Sequence, residues 1–178
     1  MDAKERHSVL EGLRQHGWVV EANEIASFNL PEQLKTRYHV LPAALTEFLV
    51  SLTVCSNAEQ TAWFLCQADF EGQSSSAWRW NEFELMLLEW AETERGKSEI
   101  TRFWDTHFPI LLSVSTGYAF FAICVGSEKL GQVVHSLLEY GVDETTAVAA
   151  SFGEFCSLLL AGQFPAETGI DSGNGVKI

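Results

Sequence analysis

Histidines, a run of glutamates and a pair of tryptophans are the side chains of this sequence whose chemistry has to be weighed first. His107, in "FWDTHFPIL", is the most suggestive. A general base needs a nucleophile or water to act on and a neighbour that orients its ring. Asp105 stands two residues away, which on a helix points elsewhere, so a structural histidine closing a helix is the expectation. His135, in "VVHSLL", has Ser136 beside it and no metal partner at ligand spacing. His7, His16 and His39 are scattered. Five carboxylates, Glu82, Glu84, Glu89, Glu92 and Glu94, fall within thirteen residues. Such a run is either a solvated helix face or a patch that reads a basic partner. Trp78 and Trp80 lie just upstream, in "SSSAWRWNEFE". Exposed, they are binding anchors beside acid; buried, they pin a loop to the core.

Other chemistries find little support. Carboxylates are abundant enough that a hydrolytic pair stays open as an alternative, but the sequence does not show which of them converge. Gly-rich phosphate loops, Walker patterns and GxSxG are missing, and the Asp and His residues offer no metal cluster, so no catalytic residue and no cofactor is expected. Cys55, Cys66, Cys124 and Cys156 form no CxxC motif and sit among apolar neighbours, as in "WFLCQ" and "FFAICV". Buried, reduced thiols are expected, which fits a cytoplasmic protein.

The elements that must position these groups follow from the hydrophobic pattern. Residues 3–16 read as a helix with Val9, Leu10 and Leu13 on one side and Gly17 as its stop. "NLPEQLKTRY" reads as a second helix capped by Asn29, and "LPAALTEFLVSL" as a third, opening at Pro42 with a stripe of Leu45, Phe48, Leu49 and Leu52. "TAWFLCQADF" has strand composition, and "EGQSSSAW" reads as a loop. "NEFELMLLEWAETE" returns to helical spacing through Phe83, Met86, Leu87 and Trp90, with Asn81 and Glu84 as an imperfect capping box. "KSEITRFWDTH" repeats that spacing through Ile100, Phe103, Trp104 and His107, with Ser98 as candidate cap.

From Phe108 to Val125 no residue is charged. Eighteen residues meet the length of a membrane span, but Pro109 stands near the start, "STG" interrupts the middle, and no basic cluster flanks the run. Split at that turn, it becomes two strands, "FPILLSV" and "YAFFAICV", with "GQVVHSLL" as a third neighbour in an antiparallel meander. "DETTAVAASFGEFCSLLLAG" reads as a long closing helix capped by Asp143, with Gly162 ending it. The expected architecture is α+β, helices packed on a mainly antiparallel sheet. Residues 1–167 form one domain, with 1–40 an N-terminal helical extension and 168–178 a flexible tail.

The chain has 178 residues, enough for one domain with a sizeable core. Twenty-four acidic against eleven basic side chains leave a net charge of −13. That argues against nucleic acid and against anionic membrane surfaces, because both need clustered Lys and Arg. It suits solubility, and equally a basic protein partner. "MDAKERHSVLEGL" has no apolar core of signal-peptide length.

Together the segments "LPAALTEFL", "WFL", "WNEFE…EW", "FWDTHFPILLSV", "GYAFFAI", "GQVVHS" and "VAASFGEF" resemble the SUKH superfamily, which includes Smi/Knr-type regulators of fungal cell-wall synthesis. The resemblance runs from about Leu41 to Leu160 and is carried by fold-forming patterns. One departure stands at Asn57, which lacks the glycines of the Asn-Gly-Gly type turn that many members place there. The resemblance implies a non-enzymatic α+β binding domain. Bacterial members are regarded as immunity proteins that neutralise a cognate toxin, often a nuclease, and fungal members as signalling scaffolds. The expectation is therefore an immunity-type protein for a basic toxin, with Glu82, Glu84, Glu89, Glu92 and Glu94 as the docking patch and Trp78 and Trp80 as anchors. A scaffold module without a toxin is the alternative.

Overall fold

The computed structural model describes residues 1–22, 27–115, 117–126, 128–164, 168 and 170. In chain order the elements are α1 (Ala3–Gln15), β1 (Val19–Ala22), α2 (Glu32–Arg37), α3 (Ala43–Leu49), β2 (Leu52–Ser56), β3 (Ala62–Phe64) and α4 (Gln67–Phe70). There follow α5 (Glu82–Trp90), α6 (Glu94–Thr106), β4 (His107–Ser113), β5 (Ala119–Cys124), β6 (Val133–Leu137), a 3-10 turn (Leu138–Tyr140), β7 (Thr146–Ala149) and α7 (Phe152–Leu160). The strands form one sheet in the order β1 to β7, each antiparallel to the next. This is the α+β fold expected from the sequence, with the meander longer than expected at both ends.

The greasy run is the centre of that sheet. Ser113 pairs with Ala119 and His107 with Cys124, so residues 107–124 fold back as the β4–β5 hairpin. Neighbouring residues of a strand point to opposite faces. Phe120 meets Trp104 of α6 at 4.8 Å, and Phe121 meets Phe155 of α7 at 5.3 Å. One face is thus covered by α1, α3 and α7, the other by α5 and α6. An antiparallel strand with one wet face alternates polar and apolar; one roofed on both sides does not need to. All six residues of β5 are buried, which accounts for the missing charges. Among the described residues no helix is long and apolar enough to cross a membrane.

The local signals explain most boundaries. Asp2 and Glu5 form a capping box at α1, and Gly17 leaves it at φ 81°. α3 opens at Pro42 as expected. Asn57 closes the β2–β3 turn without glycine: its Oδ1 accepts from the Thr61 and Ala62 N–H groups at 2.8 and 3.0 Å, and Gln60 takes the left-handed conformation, φ 55°.

Several expectations are corrected. The closing helix does not begin at Asp143. Residues 146–149 instead extend the sheet as β7, pairing Val133 with Ala149 and His135 with Thr146, which satisfies the outer edge of β6. α7 begins after Ser151, whose hydroxyl accepts from the Glu154 N–H while the Glu154 carboxylate accepts from the Ala150 N–H. α6 is capped by Thr93, not Ser98, because the Thr93 hydroxyl reaches the Gly96 N–H at 3.1 Å. Asn81 makes no cap hydrogen bond, and α2 opens at Pro31 while Asn29 binds Ser27. β1 and β2, expected as connection and helix end, are strands, and the strand expected through "TAWFLCQADF" stops at Phe64 before α4. Of the expected tail, Thr168 and Ile170 are buried, and the remainder lies outside the described residues, as does Thr116 of the "STG" turn.

Candidate partner-binding surface

α5 carries the residues singled out in the sequence, and the fold separates them into two groups. At its start, Glu84 is 6% exposed and bound by Arg37 through two parallel hydrogen bonds of 2.6 and 2.7 Å. Arg37 also donates to Asp105 at 2.8 Å. Arg37 ends α2, Glu84 sits in the first turn of α5 and Asp105 in the last turn of α6, so one guanidinium ties three helices. Burial disfavours the charged guanidinium, but the hydrogen bonds and charge of Glu84, aided by Asp105, outweigh it and hold the Arg37 pKa raised. Glu84 is therefore a structural anion and not part of a docking face.

Glu82 is half-buried and pairs with Arg79 at 3.6 Å. Trp78 and Trp80 are half-buried and packed on the core. Trp78 meets Tyr118, Phe83 and Trp63 with ring centroids at 5.3, 5.9 and 6.4 Å. Trp80 meets Phe70 at 6.2 Å and Tyr38 at 6.4 Å. The aromatic pair pins the serine-rich loop to the core, Trp78 through β3 and Trp80 through α4 and the end of α2.

The end of α5 is different. Glu89, Glu92 and Glu94 are exposed. Glu94 shares its charge with Lys97 at 2.9 Å. Neither Glu89 nor Glu92 has an ion-pair partner among the described residues. Between them stands Trp90, 52% exposed, the only one of the six tryptophans on the surface to that degree. The helical spacing placed Trp90 on the buried stripe with Phe83 and Leu87. Those two are buried, but Trp90 is the last residue of α5, and Ala91 turns away in extended conformation, φ −69°, ψ 115°. Its signal was available: a tryptophan with Glu89 before it and Glu92 two residues after it, next to a helix end.

Glu89 lies in the last turn of α5, where no basic residue is present. Exposed carbonyls give a helix end partial negative charge, so an acid there costs stability and a base adds it. Glu89 is thus acidic against the local interest of α5, whereas Glu94, in the first turn of α6, suits its helix end.

Carboxylates do share cavities elsewhere. Glu21 and Asp69 both line a groove of about 510 Å³ over β1–β3, whose floor includes Val19, Val54 and Trp63. The Asp69 carboxylate is already engaged, accepting from the Cys66 N–H at 2.7 Å. His107 behaves as the sequence suggested: its Nδ1 donates to the Phe103 carbonyl at 3.0 Å and closes α6. His135 sits on β6 against Phe121, at 4.7 Å, and burial pushes its pKa down to about 4. All four cysteines are buried free thiols. Among the described residues no three His, Cys, Asp or Glu side chains are grouped to hold a metal ion.

Comparison with protein-family models finds no match, and comparison with curated proteins finds none either.

Proposed function

We propose that the protein is a binding domain that docks a basic protein partner at the α5–α6 corner, of the immunity type that the SUKH resemblance implies. The observation that carries this reading is Trp90, exposed between the unpaired charges of Glu89 and Glu92. Tryptophan is enriched among residues that dominate interfaces, because its large rigid surface is desolvated at little entropic cost. Unpaired acid around it selects a basic partner and raises the rate of encounter. The net charge of −13 acts in the same direction over the whole surface. A toxin that acts on nucleic acid carries a basic cleft for its polyanionic substrate, and this corner is complementary to such a cleft.

The test is retention of a partner from native lysate at low salt by the wild type, in parallel with a Trp90→Ala, Glu89→Lys, Glu92→Lys variant. The wild type should retain a basic protein that falls away as salt rises, because screening shortens the reach of surface charge, and the variant should not. Equal retention by both would rule out this corner. A retained protein with no toxic activity would favour the scaffold alternative while leaving the corner intact.

A further inference from the structure

The far end of α6, about 18 Å along the helix from the corner at 1.5 Å per residue, carries a second arrangement that owes nothing to partner docking. His107 and Cys124 are directly opposed across β4 and β5. The Cys124 N–H bonds to Gln132 O and its carbonyl accepts from the Gly131 N–H, both at 2.8 Å. Its backbone is therefore turned toward β6, and the His107–Cys124 pair is of the non-hydrogen-bonded kind, in which opposed side chains approach closest, with Cβ atoms about 4.5–5.5 Å apart. Both side chains line one groove of about 500 Å³, together with Glu128, Lys129, Gln132 and Thr145, and the buried Cys124 thiol donates to the Gly126 carbonyl at 3.8 Å. That is the size of a small-molecule site.

The histidine is oriented as a base. A carbonyl oxygen only accepts, so the 3.0 Å contact with Phe103 O places the proton on Nδ1 and leaves the Nε2 lone pair free. The ring is stacked on Phe103 at 4.2 Å with planes 8° apart. Burial holds the His107 pKa below its ordinary value, the Phe103 hydrogen bond opposing it and the Lys129 charge adding to it, so the ring is neutral at pH 7. The other three thiols do not line this groove. Burial pushes the pKa of Cys66 up to about 12, and those of Cys55 and Cys156 up as well.

We propose that Cys124 and His107 form a nucleophile–base pair that takes up a small disulfide by thiol–disulfide exchange. The Cys124 thiol leaves its hydrogen bond to Gly126 O and gives its proton to His107 Nε2. The thiolate attacks one sulfur of the disulfide, a new S–S bond forms to Cys124, and the old S–S bond breaks. The departing thiolate takes the proton back from His107 and leaves as a free thiol. Disulfide exchange fits better than acyl transfer, because acyl transfer needs free donors for an oxyanion. Here the Cys124 N–H is bound to Gln132 O and the Val125 N–H to Thr106 O.

Incubation of the intact protein with oxidised glutathione tests this, read by intact mass and peptide mapping. One glutathionyl adduct is expected, at Cys124, absent in Cys124→Ser and formed about ten-fold or more slowly in His107→Gln that keeps its near-ultraviolet circular dichroism. An unchanged rate in His107→Gln, no adduct, or a first adduct at another cysteine would overturn the proposal. Should His107→Gln not fold, the wild type decides alone. Cys124 must then react about 100-fold faster than Cys55, Cys66 and Cys156, and comparable rates at all four sites would overturn it.

Discussion

The two ends of α5 look alike in sequence and sit in opposite surroundings. At the start, tryptophans 78 and 80 stand beside Glu82 and Glu84; at the end, Trp90 stands between Glu89 and Glu92. At the start the aromatics pack on the core and Glu84 is locked to Arg37. At the end the indole is open and the two acids are unpaired. What separates them is the neighbourhood each end meets. The start of α5 faces α2, α4 and the sheet, where Tyr38, Phe70 and Trp63 provide ring contacts and Arg37 a counter-ion. The end runs into the short link before α6, where Trp90 has no ring partner among the described residues. Composition names the chemistry; only the surrounding elements decide whether it serves stability or recognition.

The largest effect should come from the start. Arg37→Met leaves Glu84 buried without its partner, and breaking a buried pair on one side costs about 3–5 kcal/mol. Chemical denaturation should show that loss, and a change under 1 kcal/mol would mean that Glu84 finds water or another donor. Next comes the pairing of Trp80→Ala with Trp90→Ala. The first removes a half-buried ring packed on Phe70 and Tyr38, at a cost of about 2–3 kcal/mol, below that of a fully buried aromatic. The second should cost less than about 0.5 kcal/mol, as surface changes do. Equal losses would erase the contrast between the two ends.

Acid pH should weaken the body of the sheet and leave the contrast standing. His135 titrates near 4 in the folded protein and near 6.5 when unfolded, so between those values the unfolded chain binds more protons. Stability should therefore fall as pH drops from about 6.5 toward 4, by about 1–2 kcal/mol after allowing for the part of the ring in contact with water. His135→Phe should flatten that fall, measured as the melting temperature against pH. The smallest effect has the opposite sign. Glu89→Lys should stabilise the free protein by about 0.3–1 kcal/mol, because it complements the helix end, while weakening partner binding.

The centre of the fold was legible because its signals are local and strong. The uncharged run broken by "STG", the capped first helix and the Pro42 start each needed only neighbouring residues. β1 and β7 were not legible: each is four residues long, and pairing with β2 or β6 is what makes it a strand. "TTAVAASF" has the small residues of a helix, and β7 was hidden in them. The candidate site was half legible. The cluster of glutamates and the rule that tryptophan beside acid marks a hot spot were both in the sequence. Which tryptophan stays exposed beside unpaired acid depended on where α5 ends, which no periodicity records. The opposition of His107 and Cys124 required the β4–β5 register, and they stand seventeen positions apart along the chain.

The central claim is tested most directly by titrating the captured partner against wild type and Trp90→Ala, with the thermal midpoint of each recorded alongside. Affinity should drop at least about ten-fold, or about 1.4 kcal/mol, with the midpoint unmoved. Undiminished affinity in a folded Trp90→Ala protein would contradict the account.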